Sequence, residues 1–160
     1  MIYISLTNIL ISTAIVMSIF IHACRSKAEY KNESYSRKIL LDKRAESFYR
    51  ADQYLKAKLC YDTLLLVDSL NSEYYFKRGY CNSLLLTNDK EAISDYIKSI
   101  LYGYKNKKAS YLSLGIIYRS NKSYDTAMFF YQKALEVDPN YVKAKNEISE
   151  VLEILKGTKN

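Results

Sequence analysis

Apolar residues at helical spacing organise most of the chain, and the clearest stretch is residues 108–140. Four residues of its first half recur at i, i+3, i+4 and i+7, which is one face of a helix: Tyr111, Leu114, Gly115 and Tyr118. Four more follow a polar break at residues 120–123 and mark a second helix: Ala127, Phe130, Tyr131 and Ala134. Pro139 ends the pair, because proline cannot continue a helix interior.

The same two-helix pattern occurs twice before this stretch. Ala45, Gly79 and Gly115 occupy equivalent positions, separated by 34 and 36 residues. The second interval is longer by two residues, which a longer turn near Leu86–Asp89 and one additional residue near 106–108 accommodate. The small residues are expected where paired helices approach closely. The predicted helices are 37–50 with 53–68, 72–86 with 89–102, the pair within 108–140, and a single last helix at 141–156.

With this register, residues 37–140 resemble the tetratricopeptide repeat family, whose helix pairs recur every 34 residues. The resemblance implies an all-α fold: a right-handed superhelical solenoid of three repeats (37–70, 72–106 and 108–140) with helix 141–156 as a cap. Stacking is needed because one pair cannot bury its own apolar face. The first two repeats depart from the family pattern at four positions: Leu64, Ser69, Arg78 and Tyr104.

The first 24 residues contain no Lys, Arg, Asp or Glu, and they are mostly apolar from about Ile9 to Ala23. Such a length fits a membrane span and also a secretory signal. We therefore expect an N-terminal hydrophobic helix, as a signal peptide or membrane anchor, at 1–24. Residues 25–36 are polar and lack periodicity, which indicates a short tether.

The residues from Ile21 to Cys24 resemble a bacterial lipoprotein signal site, in which an aliphatic residue stands three before the lipid-bearing cysteine. The resemblance implies an envelope lipoprotein with diacylglycerol on the Cys24 thiol. His22 stands where the family has a small residue, and no basic residue comes before the apolar run. The alternative is an uncleaved signal anchor. The basic residues after the apolar run would then keep the C-terminal domain in the cytoplasm.

Charge and composition narrow the possible chemistry. The chain has 24 basic and 17 acidic residues, a net charge of +7, and this excess favours anionic surfaces or acidic partners without specifying nucleic acid. His22 is the only histidine, so the region after it lacks His-based catalysis and His-containing zinc sites. The four glycines are scattered and form no phosphate loop. We predict no catalytic residue, no metal and no cofactor, and an enzyme is the weakest hypothesis.

Tyrosine and cysteine each leave an alternative open. The 17 tyrosines could stack on bases in a single-stranded nucleic-acid binder, but most fall at core positions of the repeats, so packing explains them first. Cys60 and Cys81 lie on one helix and the next, which should pack together. They are expected as buried free thiols, or as a disulfide in an oxidising compartment.

The resemblance also implies where a partner protein would bind, in the concave groove lined by the first helix of each pair. Its mixed charged and apolar surface suits an extended peptide or a helix. Relatives that grip chaperone C-terminal carboxylates use a Lys/Asn/Arg clamp. Asp42, Glu46, Phe76 and Tyr80 stand at the corresponding positions here, so that ligand is not expected. The candidate groove residues are Lys43, Glu46, Arg50, Glu73, Phe76, Lys77, Tyr80, Leu112, Ile116 and Arg119.

The predicted function is therefore a membrane-tethered scaffold or adaptor that binds another protein through this groove, as an envelope lipoprotein. A cytoplasm-facing adaptor on an uncleaved signal anchor is the alternative. In either case the N-terminal segment provides the membrane contact. Tethering would raise the local concentration of a weakly bound partner.

Overall fold

The computed structural model describes residues 6–85 and 89–157, with side chains from residue 16 onward except residue 28. These residues form seven helices and no strand. The helices are α1 (Leu6–Arg50), α2 (Tyr54–Val67), α3 (Ser72–Leu85), α4 (Asp89–Leu101), α5 (Lys107–Ser120), α6 (Tyr124–Val137) and α7 (Val142–Gly157). The predicted all-helical class is confirmed.

The chain separates by its contacts into two units, Met1–Leu40 and Leu41–Asn160, and α1 contains the boundary. Residues 25–36, predicted as a short polar tether, are helical. The first helix begins at Leu6 rather than near residue 37. Ion pairs at i, i+4 spacing, Arg25 with Glu29 and Arg37 with Glu33, favour a helix here without any apolar periodicity.

The N-terminal segment differs from its prediction in a second respect. Among the described helices, none has both the length and the mean hydropathy needed to cross a bilayer. An apolar span at 1–24 is therefore not confirmed, and residues 1–5 of that predicted segment lie outside the described residues. Val16, Ile19 and Phe20 are each 64 % exposed.

From α2 onward the observed helices agree with the predicted ones to within about two residues. Each of these helices contacts the next along the chain, and α5 also contacts α3 and α7. This neighbour-to-neighbour packing is the organisation of stacked helix pairs. The longer turn predicted near Leu86–Asp89 falls largely on residues 86–88, outside the described residues.

Close contacts between helices occur at the three equivalent small residues of the repeats, Ala45, Gly79 and Gly115. A Cβ on Gly115 would overlap the ring of Tyr131, which lies on α6. A Cβ on Gly79 would lie 3.1 Å from the Cβ of Asp95 on α4. Ala45 is fully buried against α2 and α3 residues. Small side chains at these three positions allow the paired helices to pack directly.

Buried tyrosines recur in the second helix of each pair. Tyr61, Tyr96 and Tyr131 are spaced by 35 residues and are at most 1 % exposed. Burial raises the pKa of Tyr96 to about 12 and also raises the pKa of Tyr61, so the rings stay neutral. The prediction that packing explains the core tyrosines is confirmed for these three.

The second repeat replaces part of its apolar interior by an ion-pair network. Arg78 donates to both carboxylate oxygens of Asp95, at 2.9 Å and 2.6 Å, and to Asp62 at 2.9 Å. Asp95 is buried, and Asn82 Nδ2 lies 3.4 Å from its Oδ2. Arg78 stands where the family has leucine, and its two carboxylate partners explain how a cation occupies this position.

Two other departures from the family pattern also have structural counterparts. The Ser69 carbonyl accepts a hydrogen bond of 3.0 Å from the Tyr75 hydroxyl. The ring of Tyr104 stacks on that of Phe76, with centroids 4.6 Å apart. Both residues stand where the third repeat has Pro139. In place of the proline, each of these helix ends makes a contact with a side chain of α3.

Cys60 and Cys81 are buried free thiols. Burial raises the pKa of both thiols, that of Cys81 to about 12, which keeps them protonated and weakly nucleophilic at neutral pH. The first of the two expected states, a pair of buried free cysteines, is the one that the structure contains.

Candidate functional site

The structure gathers nine of the ten predicted groove residues into two pockets. The charged pocket lies between α1 and α3, has a volume of about 870 Å³, and contains five of them: Lys43, Glu46, Arg50, Glu73 and Lys77. The aromatic pocket, of about 390 Å³, lies between α3, α5 and α7 and contains four: Phe76, Tyr80, Leu112 and Ile116.

Charges in the charged pocket are paired with one another. Lys77 Nζ lies 2.5 Å from Glu46 Oε2 and 2.8 Å from Glu73 Oε1, and Arg50 Nε donates to Glu46 Oε1 at 2.8 Å. The hydrogen bond from Lys77 holds the pKa of Glu46 below its ordinary value of 4.5. Burial alone would lower the pKa of Lys77, but its two carboxylate partners outweigh that effect and raise it.

The lining of the charged pocket is electrically balanced. Asp42, Glu46 and Glu73 face Lys43, Arg50 and Lys77, so acidic and basic side chains are equal in number. A clamp for a free carboxylate requires uncompensated donors. Lys77 is paired with two carboxylates and Arg50 with Glu46, so neither of these cations is an uncompensated donor.

The aromatic pocket is built from rigidly packed side chains. Phe76 is stacked on Tyr104 and lies 5.7 Å from the ring of Tyr96. Leu112 is only 8 % exposed, and Ile116 packs against the core cluster of α5, α6 and α7. A pocket lined by apolar and aromatic side chains together with some polar groups suits an apolar side chain of a ligand. The remaining lining residues are Ala109, Ser113, Tyr141, Lys143, Asn146 and Glu147.

Arg119, the tenth predicted residue, lies in neither pocket. Its guanidinium pairs with Glu150 of α7, and its Nε lies 3.1 Å from Glu147 Oε2 without the alignment of a hydrogen bond. The Tyr131 hydroxyl donates to the same Glu147 oxygen at 2.9 Å. These contacts make Arg119 a link between α5 and α7.

Residues of α7 and just before it also line the aromatic pocket. The sequence predicted this last helix only as a cap. The register contains a usable indication of this. Ser149 lies 34 residues after Gly115, so α7 continues the pattern of a first helix of a pair. Asn146 and Glu147 then correspond to Leu112 and Ser113, two positions that line the same pocket.

Cys24, the predicted lipidation site, is an exposed thiol within α1. Its neighbours bond within the helix. The Ser26 hydroxyl donates to the Ala23 carbonyl at 3.0 Å, and His22 Nδ1 lies 2.9 Å from the Ser18 carbonyl. Among the residues with described side chains, no three His, Cys, Asp or Glu groups come together where they could hold a metal ion.

Comparison with known proteins gives a family match and a match to part of a curated relative. The sequence model of the tetratricopeptide repeat matches residues 109–141, which is the third predicted repeat. A protein SGT1 homologue from Dictyostelium discoideum is 45 % identical over 58 residues, 36 % of this chain. The chain spans 15 % of that protein's length.

Solved structures of similar fold cover more of the chain. The first tetratricopeptide repeat domain of Spaghetti (RPAP3), bound to the HSP90 peptide SRMEEVD, has a TM-score of 0.66 at 20 % identity, over 74 % of this chain and 93 % of that one. The Yersinia enterocolitica type III secretion chaperone SycD, in complex with a peptide of the translocator YopD, has a TM-score of 0.64 at 18 % identity, over 76 % and 93 %. Residues 109–141 match the tetratricopeptide repeat model, and the chain has the helical fold of these tetratricopeptide repeat structures.

Proposed function

We propose that this protein is an adaptor that binds a segment of another protein in the aromatic pocket between α3, α5 and α7. The observation that supports it is the pocket itself: Phe76 and Ile116 offer apolar surface in a cavity whose walls are already packed. Such a preformed site costs little ordering on binding.

The partner segment is an extended peptide or a helix with one bulky apolar anchor. Both forms present side chains at regular intervals, and such side chains can bind in pockets between successive helices. Lys143 and Asn146, which also line the pocket, supply donors for the carbonyl groups of such a segment. The specificity would then come from the size of the anchor and from few polar contacts.

An acidic C-terminal tail is not the ligand that we propose. The Spaghetti domain is bound to a peptide that ends in EEVD, whereas the charged pocket here has as many carboxylates as cations. Asp42, Glu46 and Glu73 would repel such a tail. The internal pairing of Lys77 opposes it further, since the ligand would have to displace Glu46 or Glu73.

The test uses a displayed library of random peptides selected against the full chain. Enriched peptides are expected to share an apolar anchor, and their affinity should fall at least tenfold for Ile116→Glu, since a charge would enter the apolar pocket. The matched control is Phe129→Glu, at a 55 % exposed position on α6 outside the pocket. Enrichment of acidic C-terminal tails, or equal losses for both variants, would contradict the proposal.

We also propose that the adaptor is held at a membrane through its N-terminal segment, as a lipoprotein modified at Cys24. Support comes from the uncharged first 24 residues and from the exposed thiol that ends them. The alternative of an uncleaved anchor predicts a longer chain without lipid. The mass of the native protein separates the two. Palmitate labelling that persists in Cys24→Ala would exclude the lipoprotein.

A further inference from the structure

The outer face of α2, opposite its buried residues, carries a row of leucines, with Asp62 between Leu59 and Leu66. Leu55, Leu59 and Leu66 are 58 %, 57 % and 86 % exposed, and Leu70 in the following turn is 65 % exposed. At 100° per residue, the three helical leucines fall within a sector of about 40°. We call these four residues the leucine stripe. They take no part in the buried core of the fold.

The other two repeats show that this apolar face is not required by the fold. Ala57, Ala92 and Ala127 are fully buried equivalents, so a shift of 35 residues relates α2, α4 and α6. The counterparts of Leu55, Leu59 and Leu66 are Lys90, Ser94 and Leu101 in α4, and Asp125, Phe129 and Glu136 in α6. Only α2 is apolar at all three positions.

The leucine stripe has a symmetric spacing that matches a second copy of itself. Leu55 and Leu70, like Leu59 and Leu66, are equidistant from the midpoint between residues 62 and 63. In an antiparallel two-fold pair of helices, a residue before the midpoint faces its mirror position in the other copy. Leu59 would therefore contact Leu66 of the second copy, and Leu55 would lie towards Leu70 in the turn after the second copy's helix, each arrangement occurring twice.

Polar groups near the midpoint are already satisfied within one chain. The Thr63 hydroxyl donates to the Leu59 carbonyl at 3.1 Å. Asp62, which lies on the same face between Leu59 and Leu66, is paired with Lys58 at 3.1 Å and with Arg78 at 2.9 Å. Burying this face would not leave a lone charge at its centre, so the main cost of burying polar groups in an interface is avoided.

We infer that the leucine stripe is a homodimer interface, in which α2 of one chain packs antiparallel against α2 of a second copy. A self-complementary patch is the requirement of an isologous two-fold contact. The exposed leucines would form the apolar centre of the interface. This inference concerns a surface apart from the two pockets and does not depend on the proposed ligand.

Sedimentation equilibrium of the full chain tests the inference. The wild type is expected to dimerise, and Leu66→Glu should raise the dissociation constant of the dimer at least tenfold. Leu101→Glu is the matched control, because Leu101 is the α4 counterpart of Leu66 and is 73 % exposed. These positions are exposed, so the variants should keep the helical circular dichroism of the wild type.

A charge pair tests the geometry itself. Leu59→Lys and Leu66→Glu should each weaken the dimer when introduced singly. Combined in one chain they should restore it, because the new charges meet across the two-fold axis. A wild type that stays monomeric, equal effects of Leu66→Glu and Leu101→Glu, or no rescue by the double variant would each overturn the inference. Monomers whose vesicle binding is lost in Leu66→Glu would assign the stripe to a membrane surface instead.

Discussion

The second and third repeats build the same helix pair from different interiors. Between α5 and α6, Gly115 lies directly under the Tyr131 ring, and apolar packing fills the interface. Between α3 and α4, Gly79 lies beside Asp95, whose carboxylate holds Arg78. The close approach at a small residue is common to both. The comparison shows that this backbone geometry, rather than a particular interior chemistry, is what the repeat requires.

The largest expected effect is on the ion pair of the second repeat. Asp95→Ala should lower the free energy of unfolding by about 3 kcal/mol, because Arg78 loses its bidentate partner inside the protein. Urea denaturation measures it. Arg78→Leu combined with Asp95→Ala should lose less than the two single variants together, since the double variant leaves neither charge unpaired. Additive losses would show that the pair does not act as a unit.

The glycine of the third repeat should be the more sensitive of the two. Gly115→Ala is expected to cost about 1–3 kcal/mol, because the Tyr131 ring must move to admit a Cβ. Gly79→Ala should cost less, with its nearest contacts at 3.1 Å and 3.3 Å. Gly157→Ala has no neighbour within 4 Å and serves as the control in thermal unfolding. A cost at Gly79 equal to that at Gly115 would contradict this order.

The connection between α5 and α7 extends the comparison to the last helix. Glu147→Gln should weaken the contact with Arg119 and leave a neutral acceptor for the Tyr131 hydroxyl, at a cost of about 1 kcal/mol. Faster amide hydrogen exchange in α7, with little change in α3 and α4, is the expected result. Uniformly faster exchange in all the helices would show that α7 does not open separately.

The smallest expected effect is a pH dependence at the charged pocket. The pKa of Glu46 is lowered in the folded state, first by its hydrogen bond from Lys77. Its contribution is therefore complete above its ordinary pKa of 4.5 and is lost as the pH falls through the lower folded value. Glu46→Gln should show a smaller loss of unfolding free energy than the wild type between about pH 5 and pH 3. Identical pH profiles would exclude this role for Glu46.

Periodicity was sufficient for α2 to α7 because their buried faces recur at the spacing of a helix. It failed for α1, where residues 25–36 have no apolar face and the helix is supported by pairs such as Arg25 with Glu29. The chain has no glycine before Gly79 and its only proline is Pro139, so neither residue type interrupts α1. The lack of glycine and proline is visible in the sequence, but a search for apolar periodicity does not detect it.

The candidate site was predictable in part for the same reason. Helical phase brought Phe76, Leu112 and Ile116 to one pocket, since phase depends only on spacing. Helical phase did not predict that Arg119 pairs with Glu150 of α7, because that contact depends on which charged side chains meet between the two helices. The share of Tyr141 and Asn146 in the pocket required recognition that α7 follows the register of the repeats.

The most direct test of the central claim is a crystal structure of the chain with a peptide selected from the random library. The account predicts that a bulky apolar side chain of the peptide lies between Phe76 and Ile116, with the charged pocket unoccupied and the Lys77 ion pairs intact. A peptide whose C-terminal carboxylate is bound by Lys43, Arg50 or Lys77, or one bound outside the α3–α5–α7 pocket, would contradict it.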